Sequence, residues 1–432
     1  MMNMPRLRLN TSFLSYARIL QGQVGLTKKA TAQELRSRLI RDFGTENTLE
    51  LNQGRIGMYL CIKALVEEGR DEIILSPYTL YEVVNMVIYA GGKPVFSDTD
   101  PNSPFVSKQT IEALISPRTA AVVLTHYHQT NPQLIEIRQL CDAHGIKLVE
   151  DCAIAYGTKF QGKMVGSHGH VGIFSYGLFK NVAAYYGGAL VAEDTQLFNR
   201  IVALQNDWQP AGRMRLLKRA LYGAAIDLMM WSPAFTLVTF PLLKWGHRSN
   251  SNLVQKFTRA DAQPSILDGY PKVLESKMRP EQARTVLDQL PDVETNRQVR
   301  MANARRYYDA LSGIDGIRLP EPIFDESSAW LEFPIIVEDR AGLYEFLLDQ
   351  GRDLRLYYYR NCAQLDIYDM AQNRDCPNAQ GVMDNTLMLP LYPSYGGAQA
   401  ERNIEALRAY FAPGGPGHKA DASEVAADQA GA

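Results

Sequence analysis

An acid and a lysine lie 29 residues apart, the acid at the end of one predicted strand and the lysine shortly after another. Asp151 ends the apolar run Ile146–Asp151 (IKLVED), and Lys180 ends the segment Phe174–Lys180 (FSYGLFK). A lysine amine can form a Schiff base with an aldehyde, and a carboxylate can keep a pyridine nitrogen protonated; together these groups can hold pyridoxal phosphate (PLP). Taken singly, such an acid is more often a helix cap or an ion-pair partner, and such a lysine is more often exposed at the surface.

Short apolar runs place these two residues in an alternating pattern of strands and helices. The runs at 71–77, 93–99, 120–126 and 146–151 are rich in Val, Ile and Leu, and helical segments separate them. Such runs are typical of buried parallel strands in βαβ units, whose ligand sites lie at the carboxyl ends of the strands. The pattern over 279–311 predicts one long helix, and the strands after it indicate a smaller α+β domain.

The composition excludes several classes of protein. The 432 residues contain 45 Lys and Arg against 47 Asp and Glu, so the net charge of −2 argues against a nucleic-acid binder. Five scattered cysteines without a CxxC pair predict no disulfide scaffold and fit a reducing compartment. We expect no secretory signal and a cytoplasmic location. We also expect no metal, because the pairs His126/His128 and His168/His170 lack a suitable third ligand nearby.

Several sequence blocks, in order and spacing, resemble the DegT/DnrJ/EryC1/StrS family of PLP-dependent sugar aminotransferases. The blocks are Gly54-Arg55, SPYT at 76–79, AGGKPVFSDTD at 90–100, VEDCAIAYG at 149–157, Phe174-Ser175 with Lys180, Gly187-Gly188, Met278 with Gln282-Ala283, and LPLYP at 389–393. The resemblance covers residues 48–411. It implies fold type I of the aspartate aminotransferase superfamily, an α/β fold with a mostly parallel seven-stranded sheet in a large domain and a smaller C-terminal α+β domain.

The resemblance also implies a domain organisation. We expect an N-terminal helical segment at 1–47 and a large PLP-binding domain at 48–275, which carries an apolar insertion at about 210–258. A small C-terminal domain at 276–411 follows. The last stretch, 412–432, is small, polar and rich in Gly and Ala, and we predict a disordered tail there.

The resemblance assigns roles to the lysine and the acid. Lys180 would form the Schiff base with the cofactor and then, as general base and acid, carry a proton between the substrate carbon and the cofactor. Asp151 would keep the pyridine nitrogen protonated, so that the ring accepts carbanion charge. In the sugar 3-dehydratase branch of the family a histidine replaces the lysine, so Lys180 favours amino transfer over dehydration.

The cofactor phosphate has its own expected binding residues. The resemblance implies that Ser175 and the backbone amides of Gly54, Arg55 and Ile56 bind it, the amides at a helix N-terminus where free N–H groups favour anions. The family's phosphate turn has a threonine where this chain has Arg55. That arginine either pairs with the phosphate or is only a cation at a helix start.

Other residues around the expected pocket depart from the family pattern. Leu80 replaces the aromatic residue that stacks on the cofactor ring, a role that Tyr78 or Tyr81 could take over. Ile154 stands where the family has Gln or His. Lys277 matches the arginine that the family contributes to the partner subunit's active site. We therefore expect an unusual substrate.

The function implied by the resemblance is transfer of an amino group, from glutamate, to the keto group of a nucleotide-linked sugar for surface polysaccharide or lipopolysaccharide synthesis. Family members are typically homodimers with shared active sites, and we expect the same here. Two alternatives stay open at this point. One is the same chemistry on a lipid-linked or membrane-presented acceptor, and the other is a catalytically silent accessory or regulatory protein with the same fold.

The apolar insertion at about 210–258 has an uneven charge distribution. Between 220 and 243 the only formal charge is Asp227, and basic residues flank both ends. The length permits a membrane span, which needs about 20 apolar residues. However, Pro233 and Pro241 would break or kink a helix, and an acid at mid-bilayer is costly.

The flanking charges favour a shallow helical hairpin over a crossing. Equal positive flanks place both ends on the same side, so we predict that 213–248 lies on the cytoplasmic face of a membrane. Trp231 and Trp245 are of the residue type found at bilayer interfaces. The alternative is that this segment packs on the dimer partner or covers the active site as an apolar lid.

Overall fold

A seven-stranded sheet forms the centre of the protein. The computed structural model describes residues 2–28, 31–249, 265–266, 269–356 and 359–417. The sheet strands are β1 Thr48–Leu51, β2 Glu72–Leu75, β3 Lys93–Phe96, β4 Thr119–Thr125, β5 Lys147–Asp151, β6 Val171–Ser175 and β7 Gly188–Ala192. Their spatial order is β1-β7-β6-β5-β4-β2-β3; β6, β5, β4, β2 and β3 pair in parallel, and β7 is antiparallel to both neighbours. The predicted mostly parallel sheet is confirmed.

The central strands explain the apolar runs in the sequence. All seven residues of β4 (TAAVVLT) and all four of β2 (EIIL) are buried. A strand covered on both faces has no solvent side, so its sequence is apolar throughout instead of alternating. The β-branched residues in these runs fit the pleated, packed surface.

Helices precede, connect and follow the strands. In chain order they are α1 Phe13–Gln23, α2 Thr31–Phe43, α3 Gly54–Leu65, α4 Tyr81–Tyr89, α5 Lys108–Glu112, α6 Leu134–Ala143, α7 Thr195–Ala203, α8 Arg213–Met230, α9 Ser232–Arg248, α10 Pro280–Gln289, α11 Val293–Leu311, α12 Arg340–Asp349, α13 Pro377–Asn385 and α14 Gly397–Phe411. The expectation of one helix over 279–311 is wrong. Pro291 cannot donate a backbone hydrogen bond, and a 3₁₀ turn at Leu290–Asp292 separates α10 from α11.

The smaller α+β domain is built on two antiparallel strands, β8 Glu332–Ile336 and β9 Thr386–Pro390. Its core combines side chains of these strands with α11, α12 and α14, among them the fully buried Tyr307, Phe333 and Leu407. The segment that follows α12 contributes Asp353 and Arg355 to the wall of the cleft described below.

Packing contacts cross the predicted domain boundaries. α10, which starts the predicted small domain, packs against α1 and α2. Cys362, Tyr368 and Cys376 pack into the core of the large sheet although they follow β8 in the chain. The boundaries at 47, 275 and 411 therefore stay predictions.

Two predicted segments lie partly outside the described residues. In the expected tail, 412–417 form turns in which the Gly417 amide donates to the Tyr410 carbonyl (2.9 Å), and 418–432 lie outside. In the insertion, α8 and α9 are described, whereas 250–258 lie outside.

The insertion folds as two helices with a sharp bend. α8 and α9 meet at 65°, at an extended backbone conformation of Trp231 that precedes Ser232-Pro233. No single helix in the described chain is long and apolar enough to cross a membrane. This bent pair meets the length and composition criteria only when its two helices are taken together.

Candidate active site

A cleft of about 530 Å³ opens at the carboxyl ends of β4, β5 and β6. Seven of the predicted site residues line it: Gly54, Arg55, Leu80, Tyr81, Asp151, Ser175 and Lys180. The strand ends meet here because the strands are parallel neighbours, with Thr125 paired to Asp151 and Asp151 to Ile173. The structure thus brings the lysine, the acid and the expected phosphate-binding residues into one cavity.

The first turn of α3 and Ser175 form a cradle for an anion. α3 begins at Gly54, and the preceding Gln53 makes no side-chain capping bond to its free amides. A Cβ on Gly54 would lie 2.8 Å from Ser175 Cβ and 2.9 Å from the Phe174 carbonyl oxygen. Only glycine therefore lets the helix start approach the serine hydroxyl so closely, and a helix N-terminus beside a hydroxyl suits a phosphate.

Asp151 is a buried carboxylate at the base of the cleft. Its Oδ1 accepts a hydrogen bond from the Ala153 amide at 3.1 Å. Burial raises the pKa of Asp151, and the Ala153 amide and the positive charge of Lys180 offset only part of that rise. A protonated nitrogen placed beside this carboxylate would favour its ionised form, because opposite charges stabilise each other strongly where water is excluded.

Lys180 lies on the loop that follows β6. Its amide donates to the Gly177 carbonyl (3.1 Å), and the Gly177 amide donates to Ser175 Oγ (3.3 Å), so the loop is a compact turn. The positive charge of Lys180 lowers the pKa of Asp151, and it also offsets part of the rise that burial causes in the pKa of Glu332 in β8. The amine is therefore within electrostatic range of carboxylates from both domains.

Glu150, next to Asp151, holds the loop 166–169 in place. Its Oε2 accepts hydrogen bonds from His126 Nε2 (3.1 Å) and the Gly166 amide (2.9 Å), and its Oε1 accepts them from the amides of His168 (2.8 Å) and Gly169. Burial alone would raise the pKa of Glu150, but these donors, His126 first, outweigh it and hold the pKa below its ordinary value. Glu150 is a structural carboxylate, which the sequence did not indicate.

The ligand atoms of His126, Glu150 and Cys152 lie within 4.8 Å of one another, a spacing that a metal ion could span. The hydrogen bonds assign them differently. His126 Nδ1 accepts from the Asn131 amide (3.1 Å), which leaves Nε2–H to donate to Glu150. Burial raises the pKa of the Cys152 thiol, which keeps it protonated. We therefore interpret the cluster as a hydrogen-bond network.

The remaining predicted site residues lie outside this cleft. Tyr78 and Ile154 line a neighbouring cavity of about 470 Å³ between the two domains. Ile56 points into the large core, and its amide donates to the Gln53 carbonyl (3.2 Å). Lys277 Nζ donates to the Asn206 carbonyl (2.8 Å); its expected role concerns the partner subunit's active site.

Sequence comparison decides the family. A model of the DegT/DnrJ/EryC1/StrS aminotransferase family matches residues 11–245 and 268–408. The chain belongs to this family. Membership in a family of aminotransferases supports an enzyme over the silent accessory protein.

Solved structures of sugar aminotransferases share the fold of this family member. S. venezuelae DesV is 22% identical, with a TM-score of 0.73 over 96% of this chain and 100% of DesV. Helicobacter pylori PseC, an aminotransferase involved in the biosynthesis of pseudoaminic acid, is 17% identical, with a TM-score of 0.71 over 95% and 99%. DesI, solved in the presence of its TDP-sugar product, is 21% identical, with a TM-score of 0.70 over 100% and 96%.

This member of the DegT/DnrJ/EryC1/StrS family also lines its cleft with residues that no sequence motif indicated. Arg6 reaches the cleft from the N-terminus, where its amide and Nε each bind Asp353 at 2.8 Å. Tyr222 and Met229 of α8 form a further wall, so part of the insertion borders the cleft. The apolar composition of the insertion was a usable signal, but Arg6 lies 347 residues from its partner and offered none.

Proposed function

We propose that this protein is a PLP-dependent aminotransferase that moves an amino group from glutamate to the keto group of a nucleotide-linked sugar, for surface polysaccharide or lipopolysaccharide synthesis. The observation that carries the proposal is the meeting of Lys180, Asp151 and the Gly54–Ser175 cradle in one cleft. Family membership supports the reaction class.

The residues present fit PLP. Lys180 is an amine that can bind the cofactor aldehyde, Asp151 is a buried acid suited to a protonated ring nitrogen, and the start of α3 with Ser175 suits the phosphate. Arg55 is half-exposed at the cleft and lies 3.5 Å from Glu82, so it can add positive charge near the phosphate. Leu80 can contact the ring face only through apolar packing.

Each residue would act on a stated atom. When bound, PLP supplies an electron sink for the carbanion formed at the substrate carbon. Lys180 Nζ removes the proton from the donor's α-carbon and returns a proton to the sugar carbon that receives nitrogen. The Asp151 carboxylate accepts the hydrogen bond of the ring N–H and so keeps that proton in place. Tyr222 and Met229 of α8 border the cleft that contains the lysine.

The sugar acceptor is proposed from the solved relatives. DesI was solved in the presence of a TDP-sugar product, and PseC takes part in the biosynthesis of pseudoaminic acid. We extend a nucleotide-sugar acceptor to this chain, and with it a cytoplasmic homodimer in which Lys277 reaches the partner subunit's active site. A second candidate is the same chemistry on a membrane-presented acceptor, which the apolar surface of α8 and α9 favours.

Replacement of the lysine tests the proposal. After incubation with PLP, the unmodified protein should show the visible absorbance of a lysine Schiff base, and added glutamate should abolish that band. Lys180→Ala should show neither change and no amino transfer. Lys63→Ala, which alters an exposed lysine on α3, should behave as the unmodified protein. An unmodified protein with no such band, or a Lys180→Ala variant identical to it, would refute the proposal.

A further inference from the structure

The outward side of α8 and α9 is a large apolar surface. Of the 21 exposed large apolar side chains in the described chain, ten lie within 213–248, nine in the two helices and Trp231 at the bend between them. Five of them are Leu221, Leu228, Trp231, Leu237 and Trp245, at 58–77% of their full area. A concentration of this kind marks an interaction site, because soluble surfaces seldom expose contiguous apolar patches. We call these five residues the hairpin surface.

α8 is apolar on two opposite sides. Leu216, Ala220, Gly223 and Asp227, spaced three or four apart, face the protein, and the first three are buried. Met214, Leu221 and Leu228, spaced seven apart, lie on the opposite side and are 60–65% exposed. The apolar residues of the inner side are accounted for by packing against the protein, whereas those of the outer side have no packing partner within the described chain.

The acid of the insertion is turned away from this surface. Asp227 Oδ2 accepts hydrogen bonds from Tyr16 Oη (2.5 Å) and Thr11 Oγ1 (2.7 Å), both from the N-terminal segment. It is the only acid between residues 213 and 248. Because Asp227 lies on the inner side, the outward side of the hairpin carries no negative charge of its own.

Basic residues border the surface at both ends. At the start of α8, Arg213, Arg215 and Lys218 form no ion pair with a carboxylate of the described residues. At the end of α9, Lys244 and Arg248 share Asp349 at 2.7 and 2.6 Å. The border therefore carries a positive excess, chiefly at the α8 end.

We propose that the hairpin surface docks on an anionic lipid bilayer, lying in the interface without crossing it. A bent pair with tryptophans, an apolar outward side and basic borders has the features of an interfacial helix pair. A second copy fits less well, because a two-fold contact would set the same basic border against itself. The lipid headgroups supply the opposite charge.

The docking surface adjoins the cleft. Tyr222 and Met229 line the cleft, are 47% and 40% exposed, and directly follow Leu221 and Leu228 of the hairpin surface in α8. The cleft mouth would therefore open at the level of the lipid headgroups. Resting on the proposed aminotransferase function, this placement would bring the cleft within reach of the second candidate acceptor, a keto-sugar presented at the bilayer surface.

Vesicle flotation tests the docking. The full-length protein with PLP would be mixed with vesicles of phosphatidylcholine alone or of phosphatidylcholine with phosphatidylglycerol. We expect flotation with the anionic vesicles, and at least a tenfold loss of bound protein for Leu228→Glu and Leu237→Glu. Met370→Glu, at an apolar site outside the hairpin that is 56% exposed, should float as the unmodified protein does. Lys218→Gln should weaken binding about fivefold, because one basic residue contributes about 1 kcal/mol at such a surface.

Two readouts separate this inference from the proposed function. Leu228 and Leu237 lie outside the cleft lining, so the Leu228→Glu and Leu237→Glu proteins should keep the loss of visible absorbance that the amino donor glutamate causes. If that change occurs but the unmodified protein fails to float with either vesicle, docking is refuted while the function stands. If flotation is absent and Leu228→Glu converts a dimer to a monomer in sedimentation, the surface is covered by a second copy, which also overturns the inference.

Discussion

Two neighbouring acids of β5 have opposite environments. Successive side chains of a strand point to opposite faces, so Glu150 meets the loop 166–169 and Asp151 meets the cleft. Glu150 is satisfied by four donors and its pKa is lowered, whereas burial with one amide donor raises the pKa of Asp151. Glu150 therefore stabilises the fold, whereas Asp151 is a buried carboxylate whose ionised form a protonated nitrogen in the cleft would stabilise.

The Glu150→Gln variant should be less stable at neutral pH. Loss of a buried acceptor with charged hydrogen bonds should lower the free energy of unfolding by about 1–3 kcal/mol at pH 7. Because the folded pKa of Glu150 lies below its ordinary 4.5, this contribution is complete above about pH 4.5 and is lost as the pH falls through the folded pKa. Urea unfolding of both proteins at pH 7 and at lower pH measures the difference.

Asp151→Asn is the matched control, since the folded pKa of Asp151 is raised. The buried negative charge of Asp151 lowers the free energy of unfolding of the cofactor-free protein; this cost is absent below about pH 3.8 and grows as the pH rises. The uncharged Asp151→Asn variant avoids the cost, so it should be more stable than the unmodified cofactor-free protein at pH 7. A Glu150→Gln protein as stable as the unmodified one at pH 7 would contradict the structural role of Glu150.

At the scale of elements, the proposed phosphate cradle depends on three segments that approach at glycines. A Cβ on Gly188 of β7 would lie 2.7 Å from the Gly54 amide nitrogen, and one on Gly54 would lie 2.8 Å from Ser175 Cβ. The start of α3, the end of β6 and the start of β7 therefore meet at backbone distance. The closeness sets the position of the free amides relative to the serine hydroxyl.

Gly54→Ala should loosen this cradle. The added methyl group forces the helix start away from Ser175, and overpacking of this kind costs about 1–3 kcal/mol, so PLP affinity should fall about tenfold. Gly381→Ala in α13 is the control, because a Cβ added there would have no neighbouring atom within 4 Å. It should leave PLP affinity unchanged and add about 0.5–1 kcal/mol of stability. Equal PLP affinity in both variants, by fluorescence titration, would contradict the cradle.

At the scale of the whole molecule, the insertion joins the two domains. Phe235 and Phe240 of α9 pack into the core of the small domain, Asp227 of α8 binds the N-terminal segment, and Tyr222 lines the cleft. The hairpin is thus an integral part of the fold on its inner side. Only its outer side is left for another partner.

Substitutions at two residues of α9 should distinguish its buried inner side from its exposed outer side by their effect on stability. Phe235→Ala removes a fully buried aromatic ring and should cost about 3–5 kcal/mol of unfolding free energy. Leu237→Ala changes a side chain that is 77% exposed and should stay within about 0.5 kcal/mol of the unmodified protein. Thermal unfolding of both variants gives the comparison, and equal losses would show that α9 is not anchored as described.

The sequence by itself determined the parallel sheet and singled out the lysine, the acid and the serine that we propose binds phosphate, because apolar runs and local motifs are properties of short segments. It also determined that 220–243 is apolar with one acid. The break at Leu290–Asp292 could be read from Pro291, which lacks the amide that a helix interior needs, but the placement of Tyr78 and Ile154 in a neighbouring cavity could not.

Only the tertiary structure decided which distant residues share the cleft. Arg6 meets Asp353, and α8 meets Lys180 in one cavity, through contacts between segments far apart in the chain. No periodicity encodes such contacts, since they depend on how whole elements pack. For the same reason, only the structure showed which side of the apolar insertion is consumed by folding and which side is exposed.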